Sequence, residues 1–325
     1  MNPTSDVAAS AVHDGGTPGR RVSTPAAREH RRCISVERFW RGLPLFPTMI
    51  VVLAVTQLPF LITVYYSLTS WNLITSSNGP RFVWFQNYIE IFSEPEFLQA
   101  ASNSVTMTVG AVALSFVLGL GLALLVNREF FGRGIARTLL ITPFLVLPAA
   151  TALLWKTSMF NASYGLINFI LSPLGVGHVD WLGQYPMASV ITILTWQWTP
   201  FFMLILLAGL QSEDPSIIQA ASVDGAGAVQ RFRYLTVPHL RPYSELGIVL
   251  GTIYILQTFD AVYLAAPGAA TTNIPYYLYQ RAFRGLEIGQ ASAMAVVVLI
   301  VTLVIASFGL RVASGLLKDS EGSRK

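Results

Sequence analysis

The sequence predicts an all-α, polytopic membrane protein with six transmembrane helices, and three observations predict it. Only 12% of the 325 residues are charged and 53% are hydrophobic, whereas soluble domains carry about 25% charged residues. Six apolar runs come close to or exceed the roughly 20 residues a helix needs to cross a hydrocarbon core. Lys and Arg are also segregated. With the N-terminus inside, 17 of the 21 fall in inner segments, and only Arg81, Lys156, Arg281 and Arg284 fall outside. Orientation follows this asymmetry, so both termini and the loop 211–242 are expected in the cytoplasm.

Residues 1–38 are rich in Ser, Ala, Gly, Pro and Arg and lack an apolar period. They are expected to be a disordered cytoplasmic tail. The apolar run that follows is longer than a signal-peptide core. Arg28, Arg31, Arg32, Arg38 and Arg41 suit contact with membrane lipid, or simply hold the N-terminus inside. A transmembrane region, 39–315, is then expected. Its spans fall at 45–68, with Pro59 as a kink, and at 105–126, 138–155, 187–210, 246–266 and 288–310. The third contains Pro143 and Pro148, tolerable where neighbouring helices satisfy the freed carbonyls. A short tail, 316–325, closes the chain. The outer loop 71–102 holds Trp71, Trp84, Phe85 and Tyr88 beside Glu90, Glu94 and Glu96. It reads as an interfacial aromatic belt with a short amphipathic helix, or as a receptor contact. Gly165, Pro173, Gly175 and Gly177 punctuate the loop 156–186, which is expected to fold back in part.

The loop 211–242 is long for a connection between bundled helices, and long structured loops are usually functional. Asp214-Pro215 reads as a helix start, with Ile217, Ile218 and Ala221 at helical spacing. Gly225 is the expected break, with positive φ, and Asp224 is placed to accept hydrogen bonds from the amides after it. A second helix then carries Ala228 and Phe232 on one face, and Pro238 is expected to end it. Gln219, Ala220, Ala221, Ala226 and Gly227 complete a surface of small residues that lets a partner approach closely.

No Gly-x-x-x-x-Gly stretch precedes any of Lys156, Lys318 or Lys325, so the chain carries no phosphate-binding loop of its own. His13, His30, His178 and His239 are scattered and Cys33 is alone. No catalytic or metal site is therefore expected, and the chain reads as a transport subunit rather than an enzyme. Ion-coupled carriers keep an acid or His deep in the membrane; here the spans offer only Asp260, near an outer end. Trp196, Gln197 and Trp198 in the fourth span, with Tyr254, Gln257, Thr258 and Asp260 in the fifth, are candidate substrate-path residues. Aromatic faces stack on sugar C–H surfaces while amides and carboxylates bond hydroxyls, although the same residue types also pack helices together. A stand-alone secondary carrier and a membrane-anchored scaffold remain as alternative functions.

The segment 219–238 resembles the EAA loop of membrane subunits of bacterial ABC importers. Ala220, Ala221, Asp224, Gly225, Ala226, Phe232, Val237 and Pro238 fit that pattern, and Gln219 stands where the family has an acidic residue. Phe259-Asp260, Gln280-Arg281-Ala282-Phe283 and Gly289-Gln290-Ala291-Ser292-Ala293 are similar to the carbohydrate-uptake branch, the maltose and glycerol-phosphate type. The stretch 265–271 is a loose version of a T-x-G-G-P pattern of that branch, and 273–279 has a polyol-transporter flavour. The resemblance implies a type I ABC importer permease fold in a bacterial cytoplasmic membrane, with 219–238 as the coupling helix. It implies a second homologous permease, two ATP-binding subunits and an extracytoplasmic solute-binding protein or lipoprotein as partners, and no nucleic acid. No cofactor is expected on this chain, ATP and Mg being held by the ATPase.

Overall fold

A computed structural model of the chain describes residues 45–76, 79–175 and 177–322. The expected tail 1–38 lies outside the described residues. The chain divides into two compact units, residues 1–59 and 60–325. In the first, the described residues form the apolar opening of helix α1, Leu45–Ser67, in which Pro59 is an interior position.

Among the described residues the second unit is mainly helical, with a short antiparallel pair, β1 Thr69–Ser70 with β2 Arg81–Phe82, in which Thr69 faces Phe82, and an isolated bridge between Asn72 and Glu287. The helices that follow are α2 Gln86–Ser93, α3 Pro95–Asn127, α4 Arg133–Leu145, α5 Pro148–Leu154, α6 Leu166–Leu171, α7 Trp181–Gln184 and α8 Pro186–Gln211. Then come α9 Pro215–Val223, α10 Ala228–Arg231, α11 Val237–Leu256, α12 Ile274–Tyr279 and α13 Ile288–Gly322. Proline opens α3, α5, α8 and α9, where its missing N–H costs nothing. The expected amphipathic helix of the loop 71–102 falls on α2, and the loop 156–186, expected to fold back in part, carries the short helices α6 and α7.

Among the described residues, four helical stretches are long and apolar enough to cross a membrane: Pro47–Ser67, Pro95–Asn127, Pro186–Gln211 and Ile288–Ser307. They account for the first, second, fourth and sixth expected spans. The other two differ from expectation. The third, 138–155, is two helices, α4 and α5 with its π-helical extension, meeting at 96°. Pro148 offers no N–H to the carbonyl of Phe144 and its ring excludes helical geometry before it. Val146 and Leu147 are accordingly extended. The fifth, 246–266, is interrupted because α11 ends at Leu256 and helical structure resumes as a π-turn, Ala261–Ala265. Buried Asn273 supports the gap, donating from Nδ2 to the Thr258 carbonyl at 2.5 Å and accepting the Tyr276 amide at 3.1 Å.

The centre of the unit is the contact between α3 and α8. An added Cβ on Gly119 would lie 2.7 Å from Phe202 Cβ, and one on Gly251 of α11 would lie 2.6 Å from the tip of the same ring. Phe202 is buried in the slot these two glycines leave. Small residues let membrane helices approach closely enough for dispersion contacts, which carry the packing where no hydrophobic drive separates helix from lipid. One satellite cluster, around Val126, Leu206, Leu210 and Leu240, lies towards the end bearing residues 212–236. Another, around Ile91, Phe97, Tyr277 and Met294, lies at the opposite end.

That opposite end is tied by one arginine. Arg281 bonds Glu94 at 2.5 Å, Glu287 at 2.6 Å and the Tyr277 hydroxyl at 2.6 Å, and Gln290 reaches Glu90 at 3.0 Å. The network joins α2, α3, α12 and α13. Burial of Tyr277 pushes its phenol upward; burial also weighs against the charge on Arg281, but Glu287 and Tyr277 beside it outweigh that and hold the guanidinium protonated.

Candidate functional site

Two places collect the residues singled out from the sequence. The first is the loop between α8 and α11. Asp214 accepts the Ser216 amide at 2.9 Å and starts α9; that bond holds its carboxyl below the usual carboxylate range. Gly225 has φ of 83°. The Ala226 amide reaches back to the Ala221 carbonyl at 2.9 Å and the Gly225 amide to the Ser222 carbonyl at 3.2 Å. This pair of bonds is a Schellman closure, which needs a left-handed residue at the glycine position. Main-chain groups thus make the turn, with the Asp224 amide bonding the Ala220 carbonyl at 3.0 Å. The expected acceptor role of the Asp224 side chain has no counterpart among the described residues. Gln230 accepts the Gly227 amide at 2.9 Å to begin α10, and Arg231 donates across the bend to the Ser222 hydroxyl.

Pro238 does not end the second helix. α10 passes through a π-turn, Phe232–Thr236, directly into α11, and Pro238 is at the start of that long helix. Proline is tolerated there because the wide turn shifts the hydrogen-bond register at a helix beginning. The bend is consequently fused to a membrane-length rod rather than separated from it. Its base is clasped: Ser212 Oγ meets the Tyr243 hydroxyl at 2.8 Å and His239 Nε2 at 3.0 Å, and Thr236 donates to Glu213 at 3.2 Å. Gln219, Ala228 and Phe232 share a groove of about 440 Å³. Ala220 and Gly227 are exposed, and Ala221 and Ala226 half-buried. The sequence reading passed over Val223 and Val229, 88% and 79% exposed on either side of the bend. Their apolar character in an otherwise solvated loop is the signal that marks them.

The second place is a cavity of about 340 Å³ lined by Gln197, Trp198, Tyr254, Gln257, Thr258 and Asp260. Six of the seven candidate path residues therefore meet. Trp198 and Tyr254 stack, with ring centroids 5.6 Å apart and planes at 26°. Gln197 Nε2 donates to the Val146 carbonyl at 3.2 Å, satisfying a group that the break before Pro148 released. Asp260 is the only carboxylate in the lining. Trp196, one residue along α8, points elsewhere: it packs on Trp155 at 5.8 Å and lines a separate apolar groove beside α3 and α4. Phe144, Val146 and Pro148 also line the cavity. They were missed because a straight third span was expected, and the two prolines were the available clue.

Comparison with known proteins settles the family. A family model described as binding-protein-dependent transport system inner membrane component matches residues 115–316, a stretch that contains both places. The chain belongs to this family. It is a multi-pass membrane permease subunit of an ABC importer, and ATP hydrolysis is the work of a separate protein. This permease is 35% identical over 267 residues to the trehalose/maltose transport system permease protein of Thermococcus litoralis, covering 80% of this chain and 89% of that one. It is 34% identical over 281 residues to the sulfoquinovosyl glycerol transport system permease protein of Agrobacterium fabrum, covering 85% and 91%. A crystal structure of a bacterial ABC transporter that imports the acidic polysaccharide alginate aligns with a TM-score of 0.73 at 21% identity, over 87% of this permease and 98% of that chain. The fold is thus the one the EAA-like loop implied.

Proposed function

We propose that this permease passes a sugar, polyol or related neutral polyhydroxylated solute into the cytoplasm. Convergence of Gln197, Trp198, Tyr254, Gln257, Thr258 and Asp260 on one cavity carries the reading. A stacked aromatic pair offers a face for sugar C–H groups, and amide, hydroxyl and carboxylate groups beside it bond hydroxyls. The name of the relative that transports trehalose and maltose supports the same class, and that of the sulfoquinovosyl glycerol permease supports a sugar-bearing solute.

In this reading the permease pairs with a second homologous permease and two ATP-binding subunits that hold ATP and Mg, and receives solute from an extracytoplasmic solute-binding protein. Both termini and the loop 211–242 face the cytoplasm. Residues 219–238 form the coupling element: the Gly225 bend docks on the ATPase, and fusion of α10 to α11 carries ATPase motion into the bundle. Lipid surrounds the spans and supplies no chemistry.

The test is uptake by the assembled transporter in vesicles. Trp198→Ala and Gln257→Leu are expected to change the rate or the ranking of sugars while the ATPase still co-purifies. Unchanged uptake of every sugar by both variants would remove the cavity from the path. ATP-independent uptake by the isolated chain, driven by an ion gradient, would replace this reading with a secondary carrier.

A further inference from the structure

A second hollow, larger than the one between α8 and α11, opens elsewhere in the described residues. It lies at the end opposite the coupling loop, has a volume of about 720 Å³, and is lined by Glu96, Gln99, Thr272, Tyr276, Gln280 and Arg284 among others. That volume is within the roughly 300–1,000 Å³ of small-molecule sites. Glu96 and Arg284 form no ion pair among the described residues, and the Gln280 amide has no partner among them. A carboxylate, a guanidinium and an amide thus stand free around a tyrosine ring. This suits a neutral ligand dense in hydroxyls, each of which donates and accepts. An acyl chain gains nothing from two opposite charges in its groove, and they offer an acidic solute one favourable and one repulsive group.

A wall of rings joins this hollow to the inner cavity. Tyr276 lines the outer one and Phe259 the inner one, with centroids 6.2 Å apart. Beside them runs a column in which Phe259 meets Tyr263 at 5.0 Å, Tyr263 meets Tyr279 at 5.4 Å and Tyr279 meets Phe283 at 5.2 Å. Phe259, Tyr263 and Tyr279 rest with one side on the core cluster around Val262 and Tyr276, which leaves their other faces for a ligand. All three are half-buried, and Phe283 is 70% exposed.

We infer that the outer hollow is a second subsite for the neutral polyhydroxylated solute, and that the column Phe283, Tyr279, Tyr263 and Phe259 is the surface along which solute passes to the inner cavity. The inference rests on the sugar-permease reading above. Glu96, Gln280 and Arg284 hold hydroxyls at the outer stage. The rings then present apolar faces at a spacing close to the width of a sugar ring, so stacking is exchanged from one ring to the next without full rehydration.

The test uses the assembled transporter with Cys33→Ser, which removes the one cysteine of this chain, and labelling is read on this chain alone. Thr272→Cys reports on the outer hollow and Thr258→Cys on the inner cavity, both near-isosteric. Maleimide labelling of each is timed with and without maltose or trehalose as the probe sugar. Protection at both positions is expected, about tenfold at a sugar concentration ten times its dissociation constant. Protection at Thr258→Cys alone would overturn the outer subsite and leave the sugar-permease reading standing. Protection at neither position, by either sugar, would overturn both. Protection at Thr272→Cys only when solute-binding protein is added would make the hollow a protein contact, and that too would overturn it. As a second arm, Tyr279→Leu is expected to lower uptake about tenfold, equivalent to about 1.4 kcal/mol, keeping outer protection and losing inner protection. Tyr279→Phe should restore transport. Wild-type uptake by Tyr279→Leu would overturn the column.

Discussion

The bend at Gly225 allows a graded perturbation. With φ of 83° and no atom within 4 Å of an added Cβ, a side chain there meets no steric obstacle. Its cost is conformational. An L-residue pays about 1–2 kcal/mol in the left-handed region, and a β-branched one more, while Asn enters it readily. About 1–2 kcal/mol is a factor of roughly 5–30 in the population of the bent form. Gly225→Asn should therefore retain most uptake, Gly225→Ala should lose about fivefold, and Gly225→Val thirtyfold or more. All three should express and fold alike, because the clasp at Ser212, Glu213, Thr236 and Tyr243 is untouched. The assay is sugar uptake beside ATPase co-purification and sugar-stimulated hydrolysis. Equal uptake across the three variants at equal expression would refute the coupling role. So would a ranking that follows side-chain volume rather than tolerance of positive φ.

Gly119→Leu should destabilise the bundle by about 1–3 kcal/mol or more through overpacking against Phe202, whereas Gly121→Ala, which meets open space, should not; thermal unfolding in detergent distinguishes them. Arg281→Leu leaves Glu94 and Glu287 without their cation. At 24% side-chain exposure the loss falls between surface and buried pairs, about 1–3 kcal/mol, read as a lower Tm that Arg281→Lys only partly restores. Asp214 binds its proton less readily folded than unfolded, so the stability it gives α9 is complete above the unfolded value near about 3.9. It is lost as pH falls through the depressed folded value. Amide exchange at Ser216 should accelerate over that window, and Asp214→Ala should show the fast rate at neutral pH.

Much of this was legible in the sequence because membrane helices must satisfy their own backbone. Apolar length placed three of the four spans within a few residues, the second helix beginning ten residues before its expected start, and Asp214-Pro215 and Gly225 placed the bend between α9 and α10. What failed concerned prolines and interruptions. Pro148 broke the third span and Pro238 broke nothing: both stand in a first helical turn, but extended Val146 and Leu147 precede Pro148, whereas the wide π-turn Phe232–Thr236 keeps the path into Pro238 helical. The gap after Leu256 depends on Asn273, sixteen residues beyond Gln257, and no local pattern announces such a contact. The cavity residues were found by type and only partly by direction. Adjacent residues on a helix point about 100° apart, so Trp196 and Trp198 could not share a wall, and Gln197 reached the cavity only because the neighbouring span bends away.

The Schellman closure has a bearing on how such subunits diversify. Since main-chain amides and one achiral residue draw the outline of the bend, the outward side chains at 219, 223 and 229 are free to drift without redrawing it. Recognition can be rewritten letter by letter while the lever keeps its shape. Under the docking role proposed above, a glutamine at 219 in place of an acid changes what the outward surface offers a partner and leaves the bend itself untouched.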